Sequence, residues 1–178
     1  GERLFGDGLS SIRGRDVFHA ASFHRPRSST RCRPVAFAPA RRPSRCRWID
    51  VENYHITLRF IGDVEGHVAD EVANALDRIR RPSFSLRLSG VGAFGSKKPH
   101  SIYAAAHTTP DLTALQAEIE RICQRLGLPA DPRKFVPHVT LARLRNSSTV
   151  DVANYLSARG NFETLPFKVG RFVLMSSR

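Results

Sequence analysis

Lysine is absent from the first 47 residues of this 178-residue chain, which carry eleven arginines against three acids, Glu2, Asp7 and Asp16. The other 17 of the 28 basic residues and 13 of the 16 acidic ones are spread over the remaining positions. The formal net charge of +12 therefore belongs mostly to the N-terminal quarter, and the total alone does not mark the body as a nucleic-acid binder. Cysteine is scarce. Cys32, Cys46 and Cys123 are too few and too scattered for a disulfide framework or a zinc site, so no metal is expected. No apolar run approaches the length of a membrane span. The N-terminus lacks the apolar core of a secretory signal, so a cytoplasmic protein without membrane attachment is expected.

What is present divides the chain in two. Residues 1–46 form an anomalous Arg/Pro/Ser-rich segment with no sustained helical or strand period, and its prolines would interrupt regular structure. This segment is expected to be irregular. From Arg47–Trp48 the texture changes, and residues 47–178 read as a folded domain. Residues 54–61 alternate as a strand, and Val68, Val72, Ala75, Leu76 and Ile79 then fall on one helical stripe. "FSLRLSGVGAF" and "SIYAAAH" read as strands joined by a turn at 95–99. A helix follows, with Thr109 or Asp111 as its cap and Gly127 at its end. Next come the strand "KFVPHVTLARL", a short helix around 150–158, and the strands "ETLPFKV" and "RFVLMSS". Helices set between hairpin-like strand pairs predict an α+β fold with antiparallel sheets. Gly90 and Gly92 precede no helix, which excludes a dinucleotide fingerprint.

One feature repeats. "YHITLRFI" and "PHVTLARL" each carry a histidine, a β-branched apolar residue, a threonine and a leucine, with His55 and His138 lying 83 residues apart. In a strand, alternate side chains share a face. His55 and Thr57 would then line one side while Ile56 and Leu58 enter a core, with Phe60 joining the core and Arg59 the polar side. A single copy is compatible with an ordinary solvated strand face. Two copies in matching contexts point to one cleft lined by His55, Thr57, His138 and Thr140, formed where two lobes pack face to face.

The paired motif resembles that of the two-histidine phosphoesterase superfamily. The surrounding text, including "RWIDVENYHITLRFIGDV", "LSGVGAFGSKKPHSIYA", "LQAEIERICQRLGL" and "KFVPHVTLARL", is similar to its bacterial RNA 2′,3′-cyclic phosphodiesterase branch, long called 2′-5′ RNA ligases. The likeness spans residues 47–178. It implies two pseudo-symmetric lobes of antiparallel sheet with outer helices flanking a central groove, and it puts His55, Thr57, His138 and Thr140 in the catalytic positions. "RLF" at residues 3–5 is similar to the family's opening strand, whereas the text up to residue 46 departs from it. The chain also ends at "LMSSR", before a final strand that relatives usually add.

The implied activity is metal-independent and cofactor-free hydrolysis of an RNA terminal 2′,3′-cyclic phosphate to a 2′-phosphate. The RNA would be its partner, with tRNA fragments as one candidate, and the protein would act as a monomer. Histidine as a residue type suits both proton transfers near neutral pH, so His55 would act as acid and His138 as base or the reverse, and threonine hydroxyls would bind the non-bridging oxygens. Arg143 matches an arginine of the second family motif, but strict alternation turns it away from His138 unless a bulge intervenes. Arg59, Phe94 and Tyr103 complete the substrate-binding candidates, the two aromatics as stacking surfaces for a base. His67, His100 and His107 lack a paired threonine. Two other readings stand beside this one: ligation of tRNA halves through a 2′-5′ bond, and a non-catalytic basic RNA-binding module.

Overall fold

The computed structural model describes residues 3–7, 17–22, 43 and 45–177. In chain order the strands are β1 (Arg3–Asp7), β2 (Val17–Ser22), β3 (Cys46–Trp48), β4 (Ile56–Asp63), β5 (Arg81–Pro82), β6 (Phe84–Leu86), β7 (Leu88–Phe94), β8 (Ser101–Ala106), β9 (His138–Leu144), β10 (Phe167–Val169) and β11 (Arg171–Ser177). The helices are α1 (Gly66–Leu76), α2 (Pro110–Arg125) and α3 (Thr149–Ser157). One sheet runs β5-β1-β11-β2-β4-β9-β8-β7, with β3 added beside β9, and β10 pairs with β6 separately. Pairing is antiparallel except between β1 and β11, which run parallel. The α+β architecture is as expected. The two lobes, however, meet edge to edge through β4 and β9, where face-to-face packing was anticipated.

The segment expected to be irregular differs from that expectation in two stretches. Besides β1, it contributes β2, which lies inside the sheet between β11 and β4. "VFHAAS" is a short run of small, apolar and β-branched residues able to form a strand, and the surrounding Arg/Pro/Ser text obscured it. Of the rest of that segment, Pro43, Arg45 and Cys46 are described, and the other residues lie outside the described ones.

The helices follow local chemistry. Thr109 caps α2 by accepting from the Leu112 N–H (3.2 Å), and Pro110 occupies the first turn. Gly127, at φ +84°, closes it in a Schellman motif. There the Leu128 N–H donates to Cys123 O (3.1 Å) and the Gly127 N–H to Gln124 O (3.0 Å). Leu112, Leu115, Ile119 and Cys123 form the buried stripe of α2, which packs on β4 and on α1. Ile56, Leu58, Ile102, Val139 and Leu141 supply the sheet side of that core. Burial pushes the Cys123 thiol up to about 11, so it behaves as a small apolar side chain.

Two bulges set which face each residue takes. Across β2 and β4 the partners are Ala21↔Thr57 and then Ala20↔Arg59, which leaves Leu58 unmatched. Leu58 and Arg59 are both buried while Phe60 is exposed, so the alternation breaks at the bulge and Arg59 faces away from Thr57. This corrects the expectation that Arg59, a substrate-binding candidate, shares the face of His55. Its side chain is 5% exposed, and Nε sits 2.5 Å from Glu120 Oε2 of α2, in ion-pair contact at an angle poor for a hydrogen bond. It also donates to the carbonyls of Phe60 and Pro129 and lies 3.7 Å from Asp131. Arg59 ties the motif strand to α2.

Breaking a buried pair from one side leaves the other charge uncompensated. Arg59→Met should therefore lower stability by about 3–5 kcal/mol, and Arg59→Met with Glu120→Leu should recover much of it, as read by urea unfolding. Hydrogen bonds from Arg133 hold the Asp131 carboxyl below its ordinary value, with a smaller contribution from Arg59. A depressed carboxyl stabilises the fold above its unfolded pKa and loses that contribution as pH falls through its folded pKa. The stability gap between the wild type and Asp131→Asn should thus be full at neutral pH and close in acid.

Candidate functional site

The two motif strands are joined at one residue pair, Ile56↔Val139, both fully buried. One antiparallel step either way sets His55 opposite Thr140 and Thr57 opposite His138. Neighbours of a buried pair point to the other face. The four motif side chains thus share one face, each histidine across from the other motif's threonine. All four are half-buried.

The histidines are held in equivalent ways. His55 Nδ1 lies 2.8 Å from Asn53 O, and His138 Nδ1 lies 2.7 Å from Val136 O. A carbonyl only accepts, so each Nδ1 carries the proton and donates. The same tautomer results on both strands, with Nε2 as the nitrogen that exchanges a proton with a bound group.

The second bulge lies at the equivalent position of β9. Tyr103↔Thr140 is followed by Ile102↔Ala142, which leaves Leu141 unmatched. Ala142 therefore takes the core side, and Arg143 joins the face of His138 and Thr140, exposed. The bulge that Arg143 requires is present. Phe94 and Tyr103 also come to this face. Their rings stack at 4.3 Å, and His138 meets Phe94 at 4.8 Å and Tyr103 at 5.4 Å, both edge-on. His100, set aside from the sequence, stacks on the far side of the group, 6.4 Å from Phe94. His67 is exposed beside Glu65, and His107 is exposed at the end of β8.

Phe60 is the residue that simple alternation misplaced. It is 41% exposed, on the face opposite Arg59, with the Arg133 guanidinium 4.6 Å from its ring centroid. Only the bulge at Leu58 could have revealed this, and a lone strand pattern does not announce a bulge. Among the described residues, no three His, Cys, Asp or Glu side chains gather as a metal site would need. No described helix is long and apolar enough to cross a membrane.

Gly92 lies opposite Tyr103 across β7 and β8, and a Cβ there would stand 2.5 Å from the Tyr103 hydroxyl. The ring lies flat only because the residue is glycine. Gly92→Ala should displace Tyr103 from Phe94 and His138 with little change in global stability. The displacement would appear as altered Tyr103 and His138 side-chain chemical shifts beside a nearly constant thermal midpoint.

Comparison with known proteins gives the chain's family and fold. The 2′-5′ RNA ligase superfamily matches residues 31–178. The RNA 2′,3′-cyclic phosphodiesterase of Aeropyrum pernix is 33% identical over 132 residues, 72% of this chain and 75% of that protein. The protein of the same name from Thermotoga maritima is 32% identical over 133 residues, 73% of this chain and 70% of its own. A crystal structure from Thermus thermophilus superposes at TM-score 0.65 and 20% identity, covering 89% of this chain and 86% of that one. Escherichia coli LigT complexed with 3′-AMP does so at 0.64 and 21%, covering 93% and 90%. At such identities the structural likeness speaks for the fold, and the sequence match speaks for descent. The chain belongs to the 2′-5′ RNA ligase superfamily.

Proposed function

We propose that the His55/Thr57 and His138/Thr140 quartet hydrolyses the 2′,3′-cyclic phosphate at an RNA end. The chain is an RNA 2′,3′-cyclic phosphodiesterase, a reading supported by relatives of that name at 33% and 32% identity over most of its length. The observation that carries the mechanism is the equivalence of the two histidines. Both are pinned through Nδ1 to the carbonyl two residues upstream, on strands joined at Ile56↔Val139.

A five-membered cyclic phosphate already contains the ester to be broken, so the site must supply a base, an acid and anion stabilisation. His138 Nε2 takes a proton from water as its oxygen bonds to phosphorus. The bond from phosphorus to the 3′ oxygen breaks, and His55 delivers its Nε2 proton to that oxygen. The product retains the phosphate on the 2′ oxygen. Thr57 and Thr140 donate hydroxyl hydrogen bonds to the non-bridging oxygens, whose charge redistributes at the transition state. No step requires a metal ion. Arg143 adds a fixed cation on the same face, and the Phe94–Tyr103 shelf stacks the terminal base. One chain supplies every group, so a monomer suffices, and cleaved tRNA ends are among the RNAs that carry the required terminus.

An oligonucleotide ending in a 2′,3′-cyclic phosphate, incubated with excess EDTA, should be converted to a 2′-phosphomonoester. The rate should trace a bell with pH, bounded by one acid and one base. His55→Ala and His138→Ala should each cost about 10²–10⁴ in rate. The double variant should lose less than their product, because both act in one transition state. Loss of turnover in EDTA with rescue by a divalent ion would refute this mechanism. So would wild-type turnover by the double variant.

A further inference from the structure

Beyond the quartet, the same sheet face carries a second charged feature. The partners Arg47↔Arg143 join β3 to β9, and directly paired residues of an antiparallel ladder share a face. Arg145 follows Arg143 by two positions, and Arg45 precedes Arg47 by two. All four arginines line one open pocket of about 770 Å³, together with Pro43, Cys46, Trp48 and Asn146. The four arginines are exposed, and among the described residues no carboxylate pairs with any of them. By contrast, Arg59, Arg81, Arg87 and Arg133 each have an acidic partner.

Four guanidinium groups around one depression, none with a carboxylate partner among the described residues, repel each other, and an anion relieves the repulsion. The backbone here is also unusual. Arg45 (φ +57°) and Asn146 (φ +54°) are the non-glycine residues at positive φ among those described, and both line this pocket. The two loops hold each other there: the Arg145 N–H and the Ser147 hydroxyl both donate to Arg45 O, at 3.0 and 3.4 Å. Strain of this kind persists where surrounding structure fixes it, and it concentrates at ligand-binding sites.

The pocket's direction matters. Arg143 lies three residues along β9 from Thr140, about 10 Å at strand rise, and Arg145 lies farther out on the same line. We infer that Arg45, Arg47, Arg143 and Arg145 form a track for the internucleotide phosphates upstream of the reacting end, so that the site selects a polynucleotide over a cyclic mononucleotide. This rests on the reading of the quartet as an RNA-end site. Guanidinium forks suit successive phosphodiesters because each offers paired donors to two oxygens.

The test compares Arg45→Gln/Arg145→Gln with wild type on two substrates, uridine 2′,3′-cyclic monophosphate and a short single-stranded RNA ending in a 2′,3′-cyclic phosphate. The oligonucleotide-to-mononucleotide ratio of kcat/KM should fall by about tenfold or more, through KM, as two charge-assisted contacts are lost. The log–log salt slope for binding the same RNA with a 2′-phosphate end, read by fluorescence anisotropy, should flatten by about 1.4, or 0.7 per lost contact. Arg45→Lys/Arg145→Lys should restore most of that slope, because the charge returns. An unchanged ratio and slope in the glutamine variant would overturn the track. If wild type turns over neither cyclic substrate, the proposed hydrolysis fails while the binding slope still decides the pocket: flattening supports the track, and no change rejects it.

Discussion

The pairing of Ile56 with Val139 is the contact on which the site depends. Each motif alone is a strand with two polar residues on one face, the commonest kind of strand surface. Apposing the strands at this pair converts two such surfaces into a cross-strand quartet. Because Ile56 and Val139 are both fully buried, a one-residue slip would drive histidine and threonine into the core and expose the isoleucine and valine. The cost of that exchange fixes the register, and hence the distance between the two imidazoles. Hydrophobic burial on one face thus holds the polar geometry on the other.

The bulges at Leu58 and Leu141 complete the arrangement. In each motif the leucine after the threonine is the unmatched residue, and in each it is buried in the hydrophobic core. The effect is to reverse facing just beyond the quartet. On β4 this sends Arg59 into contact with Glu120 and brings Phe60 out. On β9 it sends Ala142 inward and brings Arg143 out. The same device anchors a helix in one lobe and extends the polar face in the other. Bulges are common beside active sites because they re-aim a side chain without breaking the sheet.

The sequence made the site centre legible because the repeated His-x-Thr-Leu string fixes residue type, spacing and facing together. The helices were readable for similar reasons: the Thr109 cap and the Gly127 terminus are local chemistry that tertiary context did not override. What alternation could not reveal were the bulges. A bulge is a relation between two strands, and one strand's text carries no trace of its partner's count. Arg59 and Phe60 therefore exchanged places relative to expectation, while Arg143 needed a bulge the sequence could only pose as a condition. Strand β2 was hidden for another reason. Six residues within an Arg/Pro/Ser-rich context give a weak pattern, and it takes the gap between β4 and β11 to make that run a strand.

The two motifs are interchangeable at their centre and unlike at their rims. Carbonyl, imidazole, threonine and bulge recur on β4 and β9 alike. The difference lies farther out. β9 is flanked by β8 and β7, which bring Tyr103 and Phe94 to His138, and by β3, which sets Arg47 beside Arg143. β4 is flanked by β2, and its outward neighbour is Phe60 under Arg133. Among the described residues, a stacking shelf and a row of cations stand on the β9 side, and an aromatic–guanidinium pair stands on the β4 side. On the proposed reading, orienting an RNA end falls to the rim, where the described residues flanking the two motifs differ.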